Sequence, residues 1–173
     1  MIPSPKVATY DKEPAMSVQA VADEVAEIVK THKFEFVMCN FAPPDMVGHT
    51  GDFDAAVEAI TATDKAVKTV YDACEEAGYV LAVTADHGNA EQMLDPETGN
   101  PHTAHTTSRF RDKTSNEADI SDPVPFIVTG DKGSLEVSGE PGALADVAPT
   151  VLAILGLPQP DGTHKSHLKR HPH

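Results

Sequence analysis

The chain has 173 residues, 40% of them hydrophobic, enough for one packed domain of ordinary size. Its 13 Lys and Arg stand against 27 Asp and Glu, a formal charge of −14, which excludes a broad basic surface for nucleic acid or an anionic membrane. No run approaches the ~20 apolar residues of a membrane span.

Met1 to Lys6 lacks an apolar signal core, so secretion is not expected. The two cysteines, Cys39 and Cys74, make no disulfide framework and read as reduced, buried and inert. These features describe a soluble, acidic, cytosolic α/β chain. A small phosphorylated substrate is still admitted, because metal ions supply positive charge locally.

Residues 1–15 contain three prolines and read as an irregular lead-in. Val18, Val21, Ala22, Val25, Ile28 and Val29 then recur at helical spacing, with Ser17 placed to cap the start. Residues 34–40 read as a strand ended by Pro43-Pro44. The longest helix is expected from Asp54 to Ala77, with an apolar stripe of Val57, Ile60, Val67, Val70, Tyr71 and Cys74 and a stop at Gly78. Asp64 interrupts that stripe and is expected at its border, with a hydrogen-bond partner.

Residues 79–84 are apolar almost throughout, as a strand covered on both faces is. Residues 125–129 give a third strand. A last helix begins near Asp146, with Pro149 in its first turn, and stops at Gly156 and Pro158. Helices alternating with buried strands predict a mostly parallel sheet flanked by helices on both faces. Chemistry in such sheets gathers beyond the carboxyl ends of the strands.

Three clusters lie where that rule places a site. Asp45 and His49 follow the first strand; their i,i+4 spacing on a turn begun by Pro44 puts both on one side, and Gly48 lets backbone approach a ligand. Taken alone, that pair reads as a plain surface turn with a capping Asp before it reads as a divalent-ion site. Asp86 and His87 end a continuous apolar strand, either as a cap and an exposed histidine or as a site. His102 and His105 sit in a loop after Asn100-Pro101. Together the clusters predict a mixed Asp and His metal site suited to Mn²⁺, Mg²⁺ or Zn²⁺. There is no Gly-x-Ser-x-Gly elbow, no Walker-type loop, no Cys-x-x-Cys and no serine that stands out as a nucleophile.

The segments at residues 3–11, 39–51, 83–91, 102–106, 123–126 and 146–152 closely resemble those of the cofactor-independent (2,3-bisphosphoglycerate-independent) phosphoglycerate mutases of the alkaline phosphatase superfamily. The likeness runs from residue 3 to about residue 160. It implies an alkaline-phosphatase-like fold and the C-terminal part of the metal-binding phosphatase domain over 1–160, followed by a divergent, disordered His-rich tail over 161–173.

It also implies two Mn²⁺ ions, with Mg²⁺ or another divalent ion as substitutes. Asp45, His49 and His105 would hold one ion, and Asp86 with His87 the other, alongside an aspartate and a nucleophilic serine. His105 rather than His102 fills the family's ligand position in Thr-Ala-His-Thr. The implied reaction of glycolysis and gluconeogenesis interconverts 3-phosphoglycerate and 2-phosphoglycerate through a phosphoserine.

This chain has no counterpart of that serine, its aspartate or the arginine-rich substrate-gripping domain. Alone it is expected to be inactive, with the remainder of the enzyme as its partner. Residues 108–121 are extra to the family pattern and are expected to loop out just after His105. Another phosphomutase or metal-dependent phosphatase of the superfamily, or a non-catalytic metal-binding fragment, are the alternatives.

Overall fold

The computed structural model describes residues 2–111, 117–130, 135–137, 142–163, 166 and 168–170. Its centre is a pair of helices. Helix α1 (Val18–Lys30) follows the predicted pattern and buries Val18, Ala22, Val25 and Val29. The Ser17 hydroxyl does not cap it; it donates instead to the Pro3 carbonyl at 2.6 Å and ties the lead-in down.

Two further helices position Asp45. The short helix α2 spans Pro43–Gly48 and α3 spans Phe53–Ala77. Asp52 caps α3 by accepting from the Ala55 amide at 2.9 Å, and Gly78 closes it in the left-handed conformation, φ 72°.

The buried face of α3 is not quite the expected stripe. Val57 and Ile60 are 49% and 45% exposed, whereas Ala55, Ala56, Ala59, Ala66 and Ala73 are buried beside Val70 and Cys74. Small residues let neighbouring backbone approach closely, so the alanine face rather than the bulkier one turns inward. Asp64, expected at a partnered border, is exposed.

Two apolar clusters result. One joins Val18, Ala22, Val25 and Val29 of α1 to Ala66, Val70 and Cys74 of α3. The other packs Val47 of α2 against Ala55, Ala56 and Ala59 of α3 and against Met93, which fixes the turn carrying Asp45 and His49 on the main helix.

The strands depart from the parallel arrangement. Strand β1 (Ala82–Thr84) pairs antiparallel with β4 (Phe126–Val128), with Val83 opposite Ile127. A hairpin of β2 (Thr107–Arg111) and β3 (Glu117–Ser121) lies between them in sequence. Strand β5 (Leu135–Val137) pairs antiparallel with β6 (Leu168–Arg170).

No parallel pair occurs among the described residues. Parallel pairing calls for a crossover, usually helical, and the described connection from β1 to β4 contains a hairpin and loops instead. Residues 34–40 form no ladder, so α3 does not link two paired strands. Val37 still packs on the first cluster, and the Tyr79 hydroxyl donates to the Phe34 carbonyl. Phe34, Phe36 and Met38 are 54%, 54% and 82% exposed, and Cys39, expected to be buried, is exposed as well. Strand β1 is likewise exposed at Ala82 and Thr84 rather than covered on both faces.

Helix α4 (Val147–Leu155) forms as expected and ends at left-handed Gly156. A 3₁₀ turn, Leu144–Asp146, precedes it, and the Asp146 carboxylate accepts from the Ala143 amide at 2.7 Å. The segment expected to loop out after His105 contributes both strands of the hairpin; its residues 112–116 lie outside the described residues. Within the stretch read as a disordered tail, Leu168–Arg170 is the paired strand β6, while His164, His167, His171 and His173 lie outside the described residues.

Candidate metal centre

The centre begins with two prolines. Pro43 and Pro44 occupy the first turn of α2, where a missing N–H leaves no hydrogen bond unmade. The turn they start places Asp45 and His49 on one side, and the His49 amide donates to the Asp45 carbonyl at 3.0 Å. His49 Nε2 lies 3.1 Å from Asp45 Oδ1. His105, carried by the loop before β2, brings its Nε2 to 3.2 Å from the same oxygen. The three donor atoms lie within 4.8 Å of one another.

The far side of the His49 ring decides what these contacts are. Its Nδ1 is 2.7 Å from the Thr103 carbonyl oxygen. A carbonyl only accepts, so Nδ1 carries the proton, and in neutral imidazole Nε2 then presents a lone pair. That lone pair points at a carboxylate oxygen, another acceptor, and two acceptors at this separation repel unless a proton or a metal ion lies between them. Backbone fixing of the distal ring nitrogen is also how metal-binding histidines are oriented.

The distances fit a cation. Metal–donor bonds of roughly 2.0–2.2 Å put adjacent donors about 2.8–3.6 Å apart, and both imidazoles lie within that range of Asp45 Oδ1, at 3.1 and 3.2 Å. Two imidazole nitrogens and one carboxylate oxygen suit a divalent ion of borderline to hard character.

The second predicted pair stands beside this group without joining it. Asp86 is 85% exposed, and its Oδ1 lies 3.6 Å from His87 Nε2. His87 Nδ1 is 4.0 Å from Asp45 Oδ1, and its ring stacks on His105 at a centroid distance of 3.6 Å and an angle of 20°. Among the described residues no third donor completes a set with Asp86 and His87. His102 is outside the group as well; its Nδ1 is buried without a hydrogen-bond partner.

The supports of the site are residues to which sequence reasoning gave no role. The Asn89 amide nitrogen donates to Asp45 Oδ1 at 2.7 Å. Glu91 accepts from the Asn89 backbone at 2.8 Å and from the buried Thr106 hydroxyl, while the Thr106 amide donates to the Gly88 carbonyl at 3.1 Å. Burial pushes the Glu91 carboxyl up, but the hydrogen bonds from Thr106 and from the Glu91 and Asn89 backbone outweigh it, and the acid sits below its usual range. Two glycines make room. A Cβ on Gly48 would stand 2.5 Å from Asn89 Oδ1, and one on Gly88 would collide with Glu91 Oε1 and the Thr106 hydroxyl. Burial in the fold picks out Asn89 and Thr106, and the hydrogen bonds they make pick out Glu91; no spacing in the sequence does.

A groove of about 420 Å³ opens beside His49, lined by Tyr10, Asp11, Met46, Thr50 and Asp52 among others. Lys12 lies 2.7 Å from Asp11 and, through the hydrogen bond it donates, holds that carboxyl below its ordinary value.

The fold and this donor set define a metal-dependent enzyme class. Residues 1–159 match the family model described as the Metalloenzyme superfamily, and the chain belongs to that superfamily. The particular relatives are phosphoglycerate mutases. The chain is 51% identical over 162 residues to the 2,3-bisphosphoglycerate-independent phosphoglycerate mutase of Onchocerca volvulus, an alignment covering 92% of this chain and 28% of that protein. It is 46% identical over 160 residues to the enzyme of the same name from Rhodopseudomonas palustris, with the same coverage of 92% and 28%.

A crystal structure of Leishmania mexicana phosphoglycerate mutase at low cobalt concentration superposes with a TM-score of 0.80 at 28% identity, covering 98% of this chain and 31% of that one. The alkaline-phosphatase-like α/β fold expected from sequence is therefore the fold of the chain. The chain spans about 28% of the length of the curated relatives it matches.

Proposed function

We propose that these 173 residues are a metal-binding portion of a 2,3-bisphosphoglycerate-independent phosphoglycerate mutase, an isomerase that interconverts 3-phosphoglycerate and 2-phosphoglycerate in glycolysis and gluconeogenesis in the cytoplasm. The names of relatives near 50% identity support the substrate class. Asp45, His49 and His105 hold one divalent ion in this reading, and Asp86 with His87 contribute to a second. Mn²⁺ is the first choice, with Mg²⁺ or another divalent ion as substitutes. The nucleophilic serine and the groups that grip the substrate come from the remainder of the enzyme.

The observation that carries the metal reading is the Nδ1 contact of His49 to the Thr103 carbonyl at 2.7 Å, which leaves Nε2 as an acceptor facing a carboxylate. A bound divalent cation supplies the positive charge that a transferring phosphoryl group requires. The chain's own residues set the donors beforehand: α2 holds Asp45 and His49 at one turn's spacing, and the 102–106 loop delivers both His105 and the Thr103 carbonyl.

Native mass spectrometry of the chain with Mn²⁺ tests the site. Ion binding that disappears in His49→Ala supports it, and binding indifferent to His49 removes it. An assay of the longer polypeptide containing this segment, with 3-phosphoglycerate and no 2,3-bisphosphoglycerate, tests the reaction. Turnover of pentose phosphates in place of phosphoglycerate would sink that assignment.

A further inference from the structure

We propose that Asn89 is a positioning residue for the Asp45 carboxylate, fixing the oxygen on which the metal donors converge and tying the Asp86–His87 loop to α2. The inference rests on the metal reading above.

Asn89 is 5% exposed, and its Nδ2 lies 2.7 Å from Asp45 Oδ1 and 3.3 Å from the Asp45 carbonyl oxygen. Both are acceptors, so the amide nitrogen and not the oxygen must face them. The amide oxygen is left buried with no hydrogen-bond partner. Packing alone does not account for that arrangement. An apolar side chain of comparable size occupies the same space without an orphaned polar atom.

What Asn89 adds is directed N–H donation to a single ligand residue, along with neutrality. A lysine or arginine in its place would orient the carboxylate too, but would cancel the charge that attracts a cation. An amide fixes the oxygen and leaves its charge intact, as partners behind metal ligands do.

The helix carrying the ligands is shaped to accept this contact. A Cβ on Gly48, one residue before His49, would meet Asn89 Oδ1 at 2.5 Å. Asn89 is also held from behind, where its backbone N–H donates to Glu91 Oε2 at 2.8 Å. It lies two residues after His87, so one side chain joins the loop of the second predicted pair to the carboxylate of the first group.

The test is a Mn²⁺ titration of the full 173-residue chain by calorimetry, comparing wild type, His49→Ala, Asn89→Leu and Asn89→Ala. Binding at the site is the component missing in His49→Ala. The expected result is a fall in affinity of about 10–100-fold in both Asn89 variants. The melting temperature of the metal-free Asn89→Leu chain stays equal to or above that of wild type, and the visible bands of bound Co²⁺ shift as the Asp45 oxygen loses its orientation. Wild-type affinity in both variants overturns the inference. So does a loss of affinity matched by an equal loss of metal-free stability in both, which makes Asn89 a packing residue. A wild-type chain with no His49-dependent binding overturns the metal reading and takes the inference with it.

Discussion

His49 and Thr103 are 54 residues apart in sequence, yet the imidazole Nδ1 of one lies 2.7 Å from the carbonyl oxygen of the other. This contact joins the two segments that supply the metal donors, because Thr103 sits two residues before His105. It makes the tautomer of His49 a property of the fold. It also means that the 102–106 loop cannot shift without releasing both histidines.

His49→Ala removes a donor and the anchor of that loop together. Divalent-ion affinity is expected to fall by more than about 100-fold, beyond the roughly 10–100-fold typical when only an outer partner is lost. His49→Gln retains a polar side chain but no imidazole, and is expected to recover little. Calorimetric titration with Mn²⁺ of both variants checks this, with residual binding near the wild-type level as the contrary outcome.

Gly48→Ala sets two effects against each other. Alanine gains about 1 kcal/mol of helix propensity over glycine in a helix interior. The new Cβ, 2.5 Å from Asn89 Oδ1, forces overpacking that typically costs about 1–3 kcal/mol. The steric cost is the larger, so net destabilisation is expected in urea unfolding, accompanied by weaker metal binding. Gly88→Ala is expected to behave the same way through Glu91 and Thr106.

Helix α3 offers a paired test of which face is core. Ile60 is 45% exposed and Ala59 fully buried. Ile60→Ala is expected to cost under about 1 kcal/mol, well short of the roughly 2–5 kcal/mol of a buried isoleucine. Ala59→Leu is expected to cost about 1–3 kcal/mol, although it adds apolar surface. Denaturant midpoints rank the two variants, and the reverse order would return Ile60 to the interior.

Glu91 gives the chain an acid-side sensitivity whose sign is fixed. Its folded carboxyl sits below the ordinary glutamate value, so protons bind the unfolded chain more readily. The stabilisation is complete above the unfolded value, about pH 4.3, and is lost as pH falls through the lower folded one. Glu91 is solvent-exposed, so the contribution is small. Melting temperature against pH is expected to fall less steeply in acid for Glu91→Gln than for wild type.

Helix existence and ends were legible in the sequence. The spacing from Val18 to Val29 foretells α1, and Gly78 and Gly156 mark the ends of α3 and α4. Asp45 and His49 were legible as a pair because i,i+4 spacing on a helical turn leaves side chains few alternatives.

The inward face of α3 was not legible, since hydrophobic periodicity weights bulk, and here alanines close the seam while Val57 and Ile60 face outward. Strand direction was hidden too, because alternation of helix and strand says nothing about a connection that contains an antiparallel pair, as Thr107–Arg111 and Glu117–Ser121 form. Asn89 and the Thr103 carbonyl were hidden for a different reason: their value lies in long-range contacts to α2 that no local pattern records.

The exposed row of Phe34, Phe36 and Met38 bears on how the 173-residue chain behaves on its own. Apolar side chains in alternate register on an extended segment without a ladder are what holdase chaperones grip and proteases find. On the isolated chain that row is an exposed apolar patch open to association and cleavage, whatever the strength of the two helices behind it. Met38→Lys is expected to slow limited proteolysis of the isolated chain without touching a single atom of the metal centre, and an unchanged digestion rate would count against that.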